Sequence, residues 1–349
     1  MSATIRPQTP LDTIRKPRTD DRVLWDVWLA LWGYPAVIVA HQMKLFSLLG
    51  ERPRTVPGVC EELKIAQRPA STLISLCESL GLISTDDGNY KLTPMAEDYL
   101  LPSSPFYFGW FLDAWAPFIS TWAPESLKQA VLTDRPQGPF GLPAGAFATW
   151  HEENAVGFTR AMHSASIAAA HFWPEKVDLS AYRTMLDVGG GSGAHSIGAV
   201  RTWPNLTAVV LDTPIVCGVA TEFIRQYGLD GRITTRTADF FNDPLPEADV
   251  HFYGMIFHDW PPEKCQFLAQ KSFDALPSAG RIIIHEMLFN DDRTGPFPVA
   301  AFNVDMLVAM PGQQYSGPEL STMLTEAGFT EIEVKPTFGY WSIVTGRKP

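Results

Sequence analysis

The chain has 349 residues, 46% of them hydrophobic, and a formal charge of −11 at pH 7. That length suggests two domains rather than one, and the acidic balance argues against nucleic-acid partners, which require a basic footprint. Cys60, Cys77, Cys217 and Cys265 are scattered without metal-ligand spacing. They read as reduced thiols of a cytoplasmic protein with no metal site. No apolar run is expected to reach the length of a membrane span, no membrane association is expected, and no signal peptide is visible.

In chain order, residues 1–22 hold Pro7, Pro10 and Pro17 among polar neighbours and read as a disordered tail. Residues 23–101 form a first unit. A helix carrying Val37, Ile38, Leu45, Phe46 and Leu49 is expected to end near Gly50, followed by short helices over Thr55–Leu63 and Pro69–Leu80. Gly81–Ser84 and Tyr90–Leu92 flank Asp86-Asp87-Gly88-Asn89, a hairpin signal. Helix, turn, helix and hairpin make a winged helix, a module often met on DNA. Here the would-be recognition helix holds Glu78 and no Lys or Arg, so dimerisation or a substrate lid is the better reading. Trp25, Trp28, Leu31 and Trp32 precede it, an apolar set that predicts a homodimer built through this unit.

Residues 102–180 read as a helical linker dense in aromatics: Phe106, Tyr107, Phe108, Trp110, Phe111, Trp115, Phe118 and Trp122. Most belong to a core, and some are expected to line an apolar acceptor pocket. Pro136–Gly145 reads as a surface loop. From residue 181 to 349 strand and helix patterns alternate, the sign of a parallel α/β sheet. Strands are predicted at Thr184–Val188, Thr207–Leu211, Arg232–Thr235, Val250–Phe257 and Arg281–Leu288, with Glu331–Lys335 and Tyr340–Thr345 as a closing antiparallel pair. The fold class is thus α/β: a doubly wound, Rossmann-like sheet preceded by a mostly helical winged-helix domain.

Chemistry concentrates at the predicted strand ends. Leu186-Asp187-Val188-Gly189-Gly190-Gly191-Ser192-Gly193 leaves a strand and enters a helix, where open α/β sheets bind ligands. Glycine lets the backbone turn and lie against a ligand without a Cβ between them. Gly189 and Gly191 are the candidate contacts, and Asp187 suits a ligand ammonium better than a pyrophosphate. A dinucleotide fold would place its third glycine one step later. Asp212 ends the next strand, where a carboxylate accepts both hydroxyls of a ribose, or caps the helix opened by Pro214. In Asp239-Phe240-Phe241, a carboxylate for an adenine amino group precedes an aromatic for its ring; a polar strand end before core phenylalanines is the plainer alternative. His258, in Ile256-Phe257-His258-Asp259-Trp260, is the candidate general base, since imidazole titrates near neutrality. Asp259 either supports that imidazole or caps the helix that Pro261 and Pro262 open. Glu286 ends the next predicted strand; if the two strands are neighbours, it emerges at the same edge as His258 and can hold an imidazole nitrogen. A metal held by His258, Glu286 and Asp305 has no support from spacing.

These blocks resemble the plant caffeate and flavonoid O-methyltransferases, hydroxyindole O-methyltransferase and the bacterial polyketide-tailoring methyltransferases. The resemblance runs from about Val23 to the closing strand and is most specific at Leu186–Gly193, Asp239–Phe241, His258–Trp260 and Glu319–Phe329. It implies S-adenosyl-L-methionine as methyl donor, cofactor contacts by Gly189, Asp212, Asp239 and Phe240, and a histidine base at His258. It further implies N-terminal dimerisation and an acceptor pocket lined by Phe158, Met162, Asn303, Asp305, Met306 and Met310. The expected acceptor is a small, aromatic secondary metabolite methylated on a hydroxyl. Transfer to carbon or nitrogen, or an adenosylmethionine-sensing regulator, stays open. Two departures stand out. Gln314, in Gly312-Gln313-Gln314-Tyr315, replaces a glutamate of the plant enzymes, and Gly254-Met255-Ile256 lacks the basic residue common before the histidine.

Overall fold

The computed structural model describes residues 18–117, 124–137 and 152–349. The expected tail up to residue 17, Phe118, Trp122 and most of the Pro136–Gly145 loop lie outside the described residues.

The N-terminal part is helical: α1 (Arg22–Ala30), α2 (Gly33–Gln42), α3 (Leu45–Glu51), α4 (Val56–Leu63) and α5 (Gln67–Ser79), then the hairpin β1 (Ile83–Asp86) and β2 (Asn89–Leu92), then α6 (Pro94–Leu100). Local chemistry sets several of these ends. Thr55 and Thr93 each cap a helix by accepting the N–H three residues on, with proline in the first turn behind them. The single helix expected up to Gly50 is in fact two. Lys44 adopts φ +64° and breaks the chain between α2 and α3, so that Ile38 and Ala40 on one helix and Leu45, Phe46 and Leu49 on the other enter one core with Val59, Ile74 and Ile83.

The expectation that no apolar stretch reaches membrane length is corrected by the segment Arg22–Gln42. Its 21 residues include a window of mean hydropathy 1.6 and pass by length and composition. Packing divides that segment: α2 contributes Ile38, Ala40 and His41 to the interior and binds Asp113 through His41 at 3.1 Å, whereas α1 has no buried residue.

Next come α7 (Gly109–Trp115), α8 (Pro124–Thr133) and the long α9 (Glu152–Ala170). The rest alternates as β3 (Thr184–Val188), α10 (Ala194–Thr202), β4 (Thr207–Asp212), α11 (Pro214–Gln226), β5 (Ile233–Thr237), β6 (Val250–Gly254), α12 (Pro262–Ala275), β7 (Arg281–Met287), α13 (Phe297–Ala309), α14 (Gly317–Glu326), β8 (Thr330–Pro336) and β9 (Trp341–Arg347). The strands form one sheet in the order β5-β4-β3-β6-β7-β9-β8, parallel except for β9, which is antiparallel to both β7 and β8. β3 pairs with β4 on one side and β6 on the other, so the order reverses between β3 and β6. The central strands β3, β6 and β7 are almost wholly buried because helices cover both faces, and the two interiors are separate clusters, one centred on Trp173, Ile197 and Phe252, the other on Tyr253, Phe257 and Leu268.

Candidate active site

A sheet whose order reverses leaves a crevice at the carboxyl ends of the two strands involved, here β3 and β6. The glycine turn lies at that point. Gly189 and Gly193 adopt φ +67° and +77°, and a Cβ on Gly189 would run into the side chain of Ile256. The turn therefore packs directly on the segment that leads to His258.

Asp212, at the end of β4, braces the turn: Oδ2 accepts from the Gly191 N–H at 3.0 Å and Oδ1 from the Thr213 N–H at 2.7 Å. Burial pushes its carboxyl up to about 6. Asp187 is wholly buried beneath the turn. Ser196 Oγ donates to its Oδ2 at 2.8 Å, its Oδ1 has no hydrogen-bond partner, and burial pushes it up to about 7. Asp239 is exposed and shapes its own loop, with Oδ1 accepting from the Phe241 and Asn242 N–H groups at 2.8 and 3.3 Å and Oδ2 from Asn242 Nδ2 at 2.7 Å. The Phe240 ring lies 3.5 Å from where a Cβ on Gly189 would stand. Two neighbours escaped sequence reading. His163 meets Ser192 Oγ at 2.8 Å while stacking on Phe223 at 3.8 Å, and the His195 ring fills the space that Gly254 leaves by lacking a Cβ. Single buried histidines on apolar helix faces give no signal until the fold brings them together.

The strand predicted through Phe257 ends at Gly254. Met255 takes φ +57°, its N–H donates to the His285 carbonyl at 3.1 Å, and a short 3-10 turn carries Phe257–Asp259. The reason is Glu286 on β7. Its Oε1 accepts the successive N–H groups of Ile256, Phe257 and His258 at 3.1, 3.0 and 3.4 Å, which curls the chain around the carboxylate as an anion nest. Glu286 Oε2 stands 3.4 Å from His258 Nδ1, and Gln314 Nε2 is 3.0 Å from the same nitrogen. Asp259 Oδ1 is 3.4 Å from His258 Nε2, and the edge of Phe302 meets the imidazole with centroids 5.3 Å apart. Helix α12 starts behind Pro261 without a side-chain cap, so the alternative of Asp259 as its cap is not realised.

The ring is 4% exposed. Burial pushes His258 down to about 4, against the upward pull of a Met255 backbone contact, while burial and the neighbouring Asp259 push Glu286 up to about 8. Burial and Asp305 raise Asp259 to about 8 as well. Helix α13 carries Asn303, Asp305 and Met306 along with Phe302, and Met310 closes it. The Gln314 N–H donates to Asn303 Oδ1 at 2.9 Å, which ties that helix to the histidine. Gly312 passes so close that a Cβ there would strike the backbone of His258–Trp260. Phe158 and Met162 lie on α9, which packs on α7, α10 and α11. No group of three or more His, Cys, Asp or Glu among the described residues is placed to hold a metal ion.

Residues 124–330 match the family of the O-methyltransferase domain. The chain belongs to that family. It is 37% identical over 314 residues to 3-hydroxy-5-methyl-1-naphthoate 3-O-methyltransferase of Streptomyces sahachiroi, covering 89% of this chain and 90% of that one. It is 29% identical to acetylserotonin O-methyltransferase of Bos taurus, over 89% and 93% of the two chains. Among solved structures, human N-acetylserotonin methyltransferase in complex with S-adenosylmethionine superposes with a TM-score of 0.81 at 27% identity, over 96% of this chain and 99% of that chain. The protein is an S-adenosylmethionine-dependent O-methyltransferase, and its small-molecule substrate follows from that. The residues of the crevice fit the cofactor: a turn with no room for a Cβ at Gly189 and open space at Gly191, a buried Asp187 oxygen without a donor, and Asp212 at the neighbouring strand end.

Proposed function

We propose that the protein methylates a hydroxyl group of a small aromatic acceptor, with His258 as general base and Glu286 as the residue that orients it. The observation that carries this is the pair of polar groups on one imidazole nitrogen: Glu286 Oε2 and Gln314 both face Nδ1, at 3.4 and 3.0 Å. A proton on Nδ1 held by Glu286 leaves Nε2 with a free lone pair. The Gln314 amide supports that tautomer when its oxygen faces Nδ1; in the opposite sense its Oε1 is buried without a partner. Nε2 then faces Asp259 and the α13 side of the pocket.

S-Adenosylmethionine, when bound, supplies a methyl group on a sulfonium. Asp212 is proposed to hold its ribose, Gly189 and Gly191 to lie against it, Phe240 to pack on adenine and Asp187 to meet its ammonium. Asp239, whose carboxylate is mostly spent on its own loop, keeps one lone pair on Oδ2 for the adenine amino group. His258 takes the acceptor proton. An aromatic hydroxyl has a pKa of about 10, so forming its anion at pH 7 costs about 4 kcal/mol unaided, and proton removal concerted with methyl transfer avoids that free anion. Positioning by Asn303, Asp305, Met306, Met310, Phe158 and Met162 completes the reading. Aromatic hydroxyl acceptors fit the naphthoate and acetylserotonin names of the relatives.

The same proposal covers organisation: a winged-helix dimerisation domain over residues 23–101, a pocket-lining linker over 102–180 and the cofactor domain over 181–349. The outer face of α1 and the turn after it support dimerisation, since Trp25 and Trp28 on α1 and Trp32 before α2 are more than half exposed and an apolar patch of that kind marks an interface.

The deciding experiment is His258→Ala. Calorimetry with S-adenosylhomocysteine should give unchanged affinity, while turnover of a hydroxyl acceptor falls on the order of 10²- to 10⁴-fold. Turnover near that of the unaltered protein would remove His258 as the base.

A further inference from the structure

Phe240 and Phe241 sit on a loop, residues 239–243, that belongs to no strand or helix. Its front is organised by Asp239, as described, and by Asp243, whose Oδ2 accepts the Asp239 N–H at 2.9 Å. Its back is held from another element. Lys271, on α12, donates its ammonium to the carbonyls of Phe240, Phe241 and Asp243 at 2.9, 3.0 and 2.6 Å. An ammonium has three donors, and here all of them go to consecutive turns of one loop.

We propose that Lys271 is a positioning residue for cofactor binding: it grips the loop from behind and sets the Phe240 ring against the glycine turn. The proposal rests on the reading that Phe240 packs on adenine. Several facts make the grip specific. The bonds are charge-assisted and so stronger than amide–carbonyl ones. Both loop carboxylates, Asp239 and Asp243, attract the same ammonium. The loop has no strand ladder to hold its carbonyls, so without Lys271 they turn to water and the loop samples other shapes. The Phe241 ring meets Trp260 edge-on with centroids 4.7 Å apart, and the Trp260 carbonyl accepts from Tyr315 Oη at 2.8 Å, one residue from Gln314. The sequence gives no hint of this, because a lysine in a polar helix reads as a solvated side chain.

Lys271→Met removes the charge and keeps the stem; Lys271→Arg keeps donors. Three charge-assisted bonds, discounted because the lysine is only half-buried, correspond to a loss of about tenfold in affinity for S-adenosylhomocysteine. The expected pattern for Lys271→Met is that loss by calorimetry, a matching rise in cofactor KM, kcat within about twofold, and recovery of most affinity in Lys271→Arg. The melting temperature of the cofactor-free protein should move by no more than about 3 °C. Unchanged affinity in Lys271→Met overturns the proposal, as does a loss accompanied by a collapse in melting temperature, which makes Lys271 a general stabiliser. Phe240→Ala separates the two readings. If it leaves affinity intact, the adenine assignment falls; if it weakens binding while Lys271→Met does not, only the grip falls.

Discussion

Replacing Glu286 tests the arrangement around His258 most sharply, because its two oxygens do different things. Oε1 accepts three backbone N–H groups, and Oε2 faces the imidazole. Glu286→Ala strips the partners from three buried donors at about 1–3 kcal/mol each, several kcal/mol in total, and should unfold the catalytic turn. Glu286→Gln separates the roles. Its carbonyl keeps the three donors, but an amide –NH₂ now points at Nδ1, which favours the Nε2–H tautomer and removes the charge that stabilises imidazolium. In a Ser-His-Asp protease the equivalent carboxylate-to-amide change costs on the order of 10⁴ in turnover. Here Gln314 offers a substitute acceptor to Nδ1–H, so the expected loss is on the order of 10²- to 10³-fold, with cofactor affinity unchanged. The pH profile carries the sign. Glu286 is raised to about 8, and a proton on Oε2 would donate to Nδ1 and hold the wrong tautomer. Turnover should therefore rise with pH up to about 8 as that proton leaves, and Glu286→Gln should flatten the rise. Gln314→Ala should cost clearly less than Glu286→Gln, and Gln314→Glu should raise the apparent pKa of His258 by adding negative charge. The assay is single-acceptor turnover at saturating cofactor from pH 6 to 9. Asp259, also raised to about 8 and 3.4 Å from Nε2, leaves a residual rise; equal losses for Glu286→Gln and Gln314→Ala, or a rise undiminished in Glu286→Gln, would refute the reasoning.

Asp212→Ala removes both the brace on Gly191 and the proposed ribose acceptor, so S-adenosylhomocysteine affinity should fall by well over tenfold; unchanged calorimetry would take Asp212 out of the site. Light scattering at micromolar concentration should give a dimer, and a monomer would contradict the interface assigned to α1. The cofactor-free protein should also lose thermal stability as pH rises from about 7.5 to 9. In that window the depressed histidines (His163, His195 and His251 at about 3) are neutral in the folded chain and almost fully neutral in the unfolded one, whose histidines titrate near about 6.5, whereas Asp259 and Glu286 at about 8 still hold protons in the folded state alone. A melting temperature flat or rising across that window would show that these carboxylates are not held protonated.

The amino-acid sequence alone determined the family, the cofactor class and the succession of strands along the chain, because each has a local signature. A glycine-rich turn after a buried strand needs no tertiary knowledge to be recognised, and neither does an acid at the next strand end or apolar runs spaced by helices. The breaks it concealed have non-local causes. Nothing in Met43-Lys44 announces that one helix becomes two, and Ile256-Phe257 reads as strand by propensity. That segment turns because a carboxylate some thirty residues later offers its backbone a better set of hydrogen bonds than another strand would. The same holds for the roles of individual side chains. The fold, and only the fold, showed Asp239 shaping its own loop and brought Lys271 behind that loop. Long-range partners decide these assignments because a buried polar group is defined by what satisfies it, and the satisfying atoms come from elements that only the sheet brings together.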